Sequence, residues 1–203
     1  MYYQTDKQWS RLRWYDPKID AAVSALTDAL HAQPNSDLGA DGEEGTFGES
    51  GCWHVSVASM LSNFGQTYGL DVFTPESFLR ALRDEGMGTL TGYVSRPFVD
   101  PMSIVTNGKV QLYAFRDFGS KGVGSTSSEL KQILDIVGNE RFCAIVNVQS
   151  HEFFGKKNSH YVMVYKAQPS GYVMHDPDSK TNKSLFNSYK RIFQVTVYQC
   201  RPQ

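Results

Sequence analysis

The chain has 203 residues, enough for one compact domain with a sizeable core or for two lobes sharing an interface. Its 20 Lys and Arg against 21 Asp and Glu give a formal charge of -1, so neither nucleic acid nor a membrane surface is expected as a partner. No apolar run approaches the roughly 20 residues needed to span a bilayer. The opening Met1-Tyr2-Tyr3-Gln4 lacks the basic and apolar regions of a signal peptide. The expected location is therefore the cytoplasm as synthesised, with any delivery outside the producing cell following a route without such a signal.

In chain order, Asp16-Pro17 reads as a cap and a helix-opening proline, and Ile19, Ala22, Val23, Leu26 and Leu30 follow at helical steps. From Pro34 to Gly51 the chain is small, polar and acidic, with glycines at 39, 42, 45, 48 and 51. This predicts a long loop, whose acidic residues over 36–50 read as a solvated face and as a lid or a selector of basic substrates. Trp53, Val57, Met60, Leu61 and Phe64 then mark one face of a helix ended by Gly65. A further helix opens at Thr74-Pro75, turns Phe78, Leu79 and Leu82 inward and stops near Gly86. Another runs from about Ser127 to Val137 with Leu130, Ile133, Leu134 and Val137 inward.

The period then changes. Residues 142–148, 160–166, 171–175 and 193–198 are short runs rich in β-branched and aromatic side chains, separated by turn residues, and 110–115 adds a fifth candidate strand. Helices first and strands afterwards imply an α+β fold. We expect a single domain over 1–203, with a helical lobe over about 1–138 packed on a mostly antiparallel sheet lobe over about 139–203.

Three cysteines, Cys52, Cys143 and Cys200, are too few and too far apart for a disulfide framework, and no metal-type Cys-x-x-Cys pair occurs. No metal and no cofactor are expected. Cys52 stands out because it opens a helix, where the partial positive charge of the N-terminus favours a thiolate. A cysteine nucleophile needs a base and a group that orients the base. His160 begins one predicted strand, and Asp176-Pro177 ends the next, with a turn at Gln168-Pro169-Ser170-Gly171 between them. Paired as a hairpin, these strands make His160 and Asp176 neighbours. Taken singly, each has an ordinary explanation: a buried thiol, a strand-end histidine, a turn. His54, two residues after Cys52 on the same helix, is read as a helix-surface or supporting residue rather than the base, and His175, on the opposite side of its strand from Asp176, as structural. Trp9 and Trp53 are read as packing anchors.

Cys52 followed 108 residues later by His160 and then by Asp176 resembles the papain-like cysteine peptidases. Locally, Ser50-Gly51-Cys52-Trp53-His54-Val55-Ser56 is similar to their Gly-Ser-Cys-Trp stretch. The opening Gln4-Thr5-Asp6-Lys7-Gln8-Trp9, the Gly51-Cys52 pair, the His160-Tyr161-Val162 strand and Asp176-Pro177 resemble the bacterial and phage branch related to bacteriocin leader peptidases. The resemblance implies a papain-like fold and a thiol hydrolase acting on a protein or peptide, peptidoglycan peptides included, as a monomer. It also implies that Gln4 and the Cys52 backbone N–H stabilise the oxyanion. The papain pattern has its Gln six residues before the cysteine, where this chain has Thr46, so Gln66 and Gln149 are the alternatives. The same triad also serves a glutamine deamidase, a transglutaminase-like acyl transferase or a peptidoglycan peptide-bridge hydrolase. A non-catalytic peptide-binding module is the rival from another class, against which stands the retention of Cys52, His160 and Asp176.

Overall fold

Small and apolar residues from Cys52 to Tyr68 form helix α1, which is apolar on nearly every side and buried without a break from Trp53 to Ser62. A helix apolar all round belongs in the middle of a protein. The structure is a computed structural model and describes residues 1–3, 6–10, 51–85, 101–149 and 159–201. The helix expected to open at Asp16-Pro17, the acidic loop over 36–50 and Gln4 lie outside these residues.

Helix α1 does not end at Gly65, as the spacing predicts, but runs on to a left-handed Gly69 at φ 67°. Gly65 serves close approach instead: a Cβ there would lie 3.0 Å from the Leu70 carbonyl oxygen and 3.1 Å from that of Asp71, where the chain folds back over the helix. Helix α2, Pro75–Asp84, opens on a proline whose missing N–H costs nothing at that position. Thr74 and Ser77 cap it reciprocally, each side-chain oxygen accepting from the other's backbone N–H at 3.1 and 2.9 Å. A short helix α3, Pro101–Val105, buries Met102. Helix α4, Ser128–Asp135, is capped by Ser127, whose hydroxyl accepts from the Leu130 N–H, and tightens into a 3-10 turn over Ile136–Gly138.

Among the described residues five strands form one antiparallel sheet: β1 Val110–Asp117, β2 Phe142–Gln149, β3 Ser159–Gln168, β4 Gly171–His175 and β5 Ile192–Cys200, in the spatial order β1-β5-β2-β3-β4. Strand β1 precedes residue 139, so the sheet draws its edge from the part of the chain expected to be helical. Helices cover both faces. Leu130 and Leu134 of α4 and Leu185 of a last short helix α5, Leu185–Ser188, pack on Val146, Val162 and Val195. Met60 and Phe64 of α1, Phe78 of α2 and Met102 pack on Ile145 and Met163 from the other side. Covered on both faces, the central strand β2 is buried from Phe142 to Val148, which is why it reads as an almost unbroken apolar run. The architecture is α+β, three layers deep. No helix among the described residues is long and apolar enough to cross a membrane.

Candidate functional site

Cys52 is the first residue of α1, His160 the second of β3, and Asp176 follows the last residue of β4. The helix is tied to the strand one turn beyond the thiol, where the Ser56 hydroxyl donates to the Tyr161 carbonyl at 3.0 Å. In the β3–β4 hairpin Met163 faces His175, so Asp176 continues opposite Val162 and lies diagonal to His160 on the same face. Diagonal neighbours are within reach of long side chains. His160 Nε2 meets Asp176 Oδ1 at 2.8 Å, and the Cys52 side chain is within hydrogen-bonding reach of the same imidazole. With Nε2 donating to the carboxylate, Nδ1 is the nitrogen left for the thiol.

Asp176 is fully buried. Burial alone would push its carboxyl up, but the hydrogen bond and charge of His160 and donors from Tyr189 and Asn182 hold it down, at about 2. The Tyr189 hydroxyl donates to Oδ2 at 2.6 Å, Asn182 Nδ2 to the same oxygen at 2.8 Å, and the Asp178 N–H to Oδ1 at 3.0 Å. For His160, burial pulls the pKa down, yet its hydrogen bonds to Asp176 and Cys52 and the charges of both outweigh burial and raise it to about 10. The imidazole therefore carries its proton at neutral pH. Sequence reasoning missed Tyr189 and Asn182. The available signal was indirect: a carboxylate buried between two strands needs several donors, and the polar turn after Pro177 and the short helix beyond it are the segments nearest in sequence.

Around the thiol, the first amide tied into the α1 ladder is that of Val55, which donates to the Gly51 carbonyl at 3.0 Å, and Gly51 offers no side-chain cap. The N–H groups of Cys52, Trp53 and His54 precede the ladder. Cys52 is half-buried, whereas Cys143 and Cys200 are fully buried, and all three thiols are free. Burial and the neighbouring Cys200 push the Cys143 thiol up to about 12, which leaves it inert.

Gln4 is outside the described residues, but its chain neighbours are pinned beside the site. The Tyr2 N–H donates to the Ser59 hydroxyl at 3.0 Å, His175 Nε2 donates to the Tyr2 carbonyl at 2.5 Å, and Trp9 Nε1 donates to the Tyr3 carbonyl at 2.7 Å. Gln66 is exposed and stands 14 residues beyond Cys52, about 21 Å along the helix axis, so it does not serve the thiol. Gln149 ends β2 opposite Ser159, next to His160.

His175 is a structural residue. Burial and the charges of the Met1 amino group and Lys183 lower its pKa to about 4 despite its bond to Tyr2. His54 is not on a helix surface: it is buried, with the Trp53 ring edge-on at 5.1 Å and Phe78 at 6.2 Å. Trp9 and Trp53 are core residues. Among the described residues no group of three or more His, Cys, Asp or Glu could hold a metal ion. The site is thus a half-exposed sulfur within reach of an imidazole that is itself bonded to a buried, fourfold-bonded carboxylate. Compared with protein-family models, curated proteins and solved structures, the chain matches none.

Proposed function

We propose that the protein is a papain-like cysteine hydrolase that cleaves a peptide or isopeptide bond through a thioester. One observation carries this reading: a thiol at a helix start, an imidazole and a buried carboxylate, from segments far apart in sequence, meet in hydrogen-bonding order. In the attack Cys52 acts as the thiolate beside a protonated His160. The sulfur attacks the substrate carbonyl carbon, and the electron pair of the C=O bond moves to oxygen, facing the Cys52 N–H at the helix start. Collapse of that intermediate breaks the C–N bond, and His160 Nδ1 gives its proton to the departing amine. Water then attacks the thioester and passes a proton to His160, and collapse of this second intermediate breaks the C–S bond, releases the acid and returns the sulfur as the thiolate beside the protonated His160. Asp176 keeps the imidazole in the tautomer and orientation both steps require. No cofactor enters, and the substrate is a protein or peptide, peptidoglycan peptides among them, handled by a single copy of the chain.

The test is alkylation by a peptidyl epoxysuccinate at neutral pH, followed by mass spectrometry. Cys52 is expected to be modified, and His160→Ala to slow the reaction about 100-fold or more. Absent modification, or a rate unchanged in His160→Ala, favours a peptide-binding module without catalysis. A proteome and purified peptidoglycan, each incubated with wild type and with Cys52→Ala, then separate the reactions: new amino termini mark a peptidase, and conversion of Gln to Glu without cleavage marks a deamidase.

A further inference from the structure

Asn147 interrupts the apolar run of β2 and is more than nine-tenths buried. Its Oδ1 is shut off from solvent and meets no hydrogen-bond donor among the described residues. An apolar side chain of the same size would avoid that loss, so the fold alone gives no reason for an amide here. The position is telling. Asn147 shares a sheet face with Cys143 and Ile145, the face that α1 covers, and stands between Tyr161 of β3 and Gln194 of β5. Directly opposed residues in such a pair hold their Cβ atoms about 5 Å apart. Tyr161 follows His160, and its carbonyl is the one that receives the Ser56 hydroxyl, one turn beyond Cys52. The orphan acceptor therefore lies one rung along the sheet from His160, on the face opposite to its imidazole, at the level where Ser56 ties the helix that carries the thiol to β3. Gln194, which could have satisfied it, turns its Nε2 away to Asp117 Oδ2 at 3.1 Å.

We infer that Asn147 is a substrate-binding residue whose carboxamide oxygen accepts a backbone N–H of an extended peptide lying across the start of α1. The inference rests on the reading of Cys52 as the nucleophile. A neutral amide is the matching donor, because Asn147 brings no charge to balance an ammonium or guanidinium in a site this buried. Rotation about the soft terminal torsion of the side chain turns Oδ1 toward the incoming peptide.

The test uses Asn147→Leu, close to isosteric, and Asn147→Ala, with two readouts. Thermal unfolding reports the fold. Alkylation of Cys52 by a dipeptidyl epoxysuccinate is compared with alkylation by iodoacetamide, which has no peptide to bind. Asn147→Leu is expected to raise Tm by a few degrees, since a buried unpaired acceptor disappears. Both variants are expected to weaken KI for the dipeptidyl reagent about tenfold, the loss of one hydrogen bond, with iodoacetamide reacting within about twofold of wild type. A dipeptidyl KI at the wild-type value, or a Tm lowered by leucine as much as by alanine, overturns the inference and leaves Asn147 a structural residue. If wild-type Cys52 reacts with neither reagent faster than in the unfolded chain, the nucleophile reading itself falls, and the inference with it.

Discussion

Replacing Tyr189 with Phe removes one oxygen from the protein, the hydroxyl that donates to Asp176 Oδ2 at 2.6 Å. A hydrogen bond to a charged group contributes about 1.5–3 kcal/mol, and one pKa unit corresponds to about 1.4 kcal/mol. Without the hydroxyl, the Asp176 carboxyl is expected to rise from about 2 to roughly 3 or 4. Asn182, the Asp178 N–H and His160 still hold it, so at neutral pH it remains ionised and the imidazole remains protonated. Stability at pH 7 then falls by about 2 kcal/mol, and Tm by about 4–8 °C for a chain of this size. Alkylation of Cys52 at that pH changes by less than about threefold, because the charges of the site are unchanged.

The pH dependence separates this account from simple loss of packing. The folded pKa of Asp176 lies below its ordinary value of 3.8, so its contribution to stability is complete above about pH 5 and is lost as pH falls through 3.8 toward 2. The Tyr189→Phe carboxylate, already closer to 3.8, has less to lose. Thermal unfolding followed by circular dichroism at several values from about pH 7 to pH 3 is therefore expected to show a Tm gap that narrows below about pH 4. A gap of the same size at both ends means that the hydroxyl acts through packing alone. No gap at neutral pH means that Asp176 does not depend on Tyr189 at all.

The two buried histidines bend stability in opposite directions. His160, raised to about 10, contributes stability that is complete below its ordinary 6.5 and is lost as pH rises through about 10. His175, lowered to about 4, instead costs stability as pH falls from 6.5 toward 4, because the unfolded chain takes up a proton that the folded one refuses. Tm is expected to peak near neutrality, with His175→Gln flattening the acid side and His160→Ala the alkaline side; a Tm that ignores both substitutions between about pH 4 and 10 rules this out. Ser56→Ala removes the bond that ties α1 to β3 and is expected to cost about 1 kcal/mol and to slow Cys52 alkylation several-fold. An alkylation rate unchanged while Tm falls shows that the tie holds the fold without aligning the thiol.

Much of the secondary structure was legible because local chemistry decides it. Turn residues and β-branched runs marked all five strands to within a few residues, and Ser127 and Thr74-Pro75 marked two helix starts. Gly65 misled for a physical reason. A glycine late in a helical pattern serves either as a cap or as a point of close approach, and only the returning chain at Leu70 and Asp71 decides which. The sheet order was equally out of reach, since placing β5 between β1 and β2 depends on contacts across most of the chain. Two-residue spacing from Cys52 puts His54 on another face of its helix, but α1 is buried without a break from Trp53 to Ser62, so every face around His54 is an inner one. Cys52, His160 and Asp176 could be named because their residue types and order are distinctive. Tyr189, Asn182 and Asn147 could not, since a tyrosine or an asparagine acquires its role from the groups the fold sets against it.

The bond between His160 and Asp176 depends on one irregular residue in the hairpin. Counted from the two-residue turn, where Gln168 faces Gly171, regular pairing would run Lys166 against Val173 and on to Met163 against Asp176. Opposed residues share a face, so Asp176 would then project with Met163, on the side of the sheet opposite to His160. The register instead shifts between Val164 and Lys166: Val164 faces Met174, Met163 faces His175, and Tyr165 is left over as a bulge. One extra residue turns every side chain before it to the other face. His160, Val162 and Val164 now stand with Ala167 and Tyr172 over the core beneath α4, and Asp176 comes round to the same side, where Tyr189 and Asn182 are waiting to hold it. Hairpin length brought the two residues close in the sequence reading, but closeness along the strands leaves the choice of face open. The bulge at Tyr165 makes that choice, and it makes it for the imidazole and the carboxylate together.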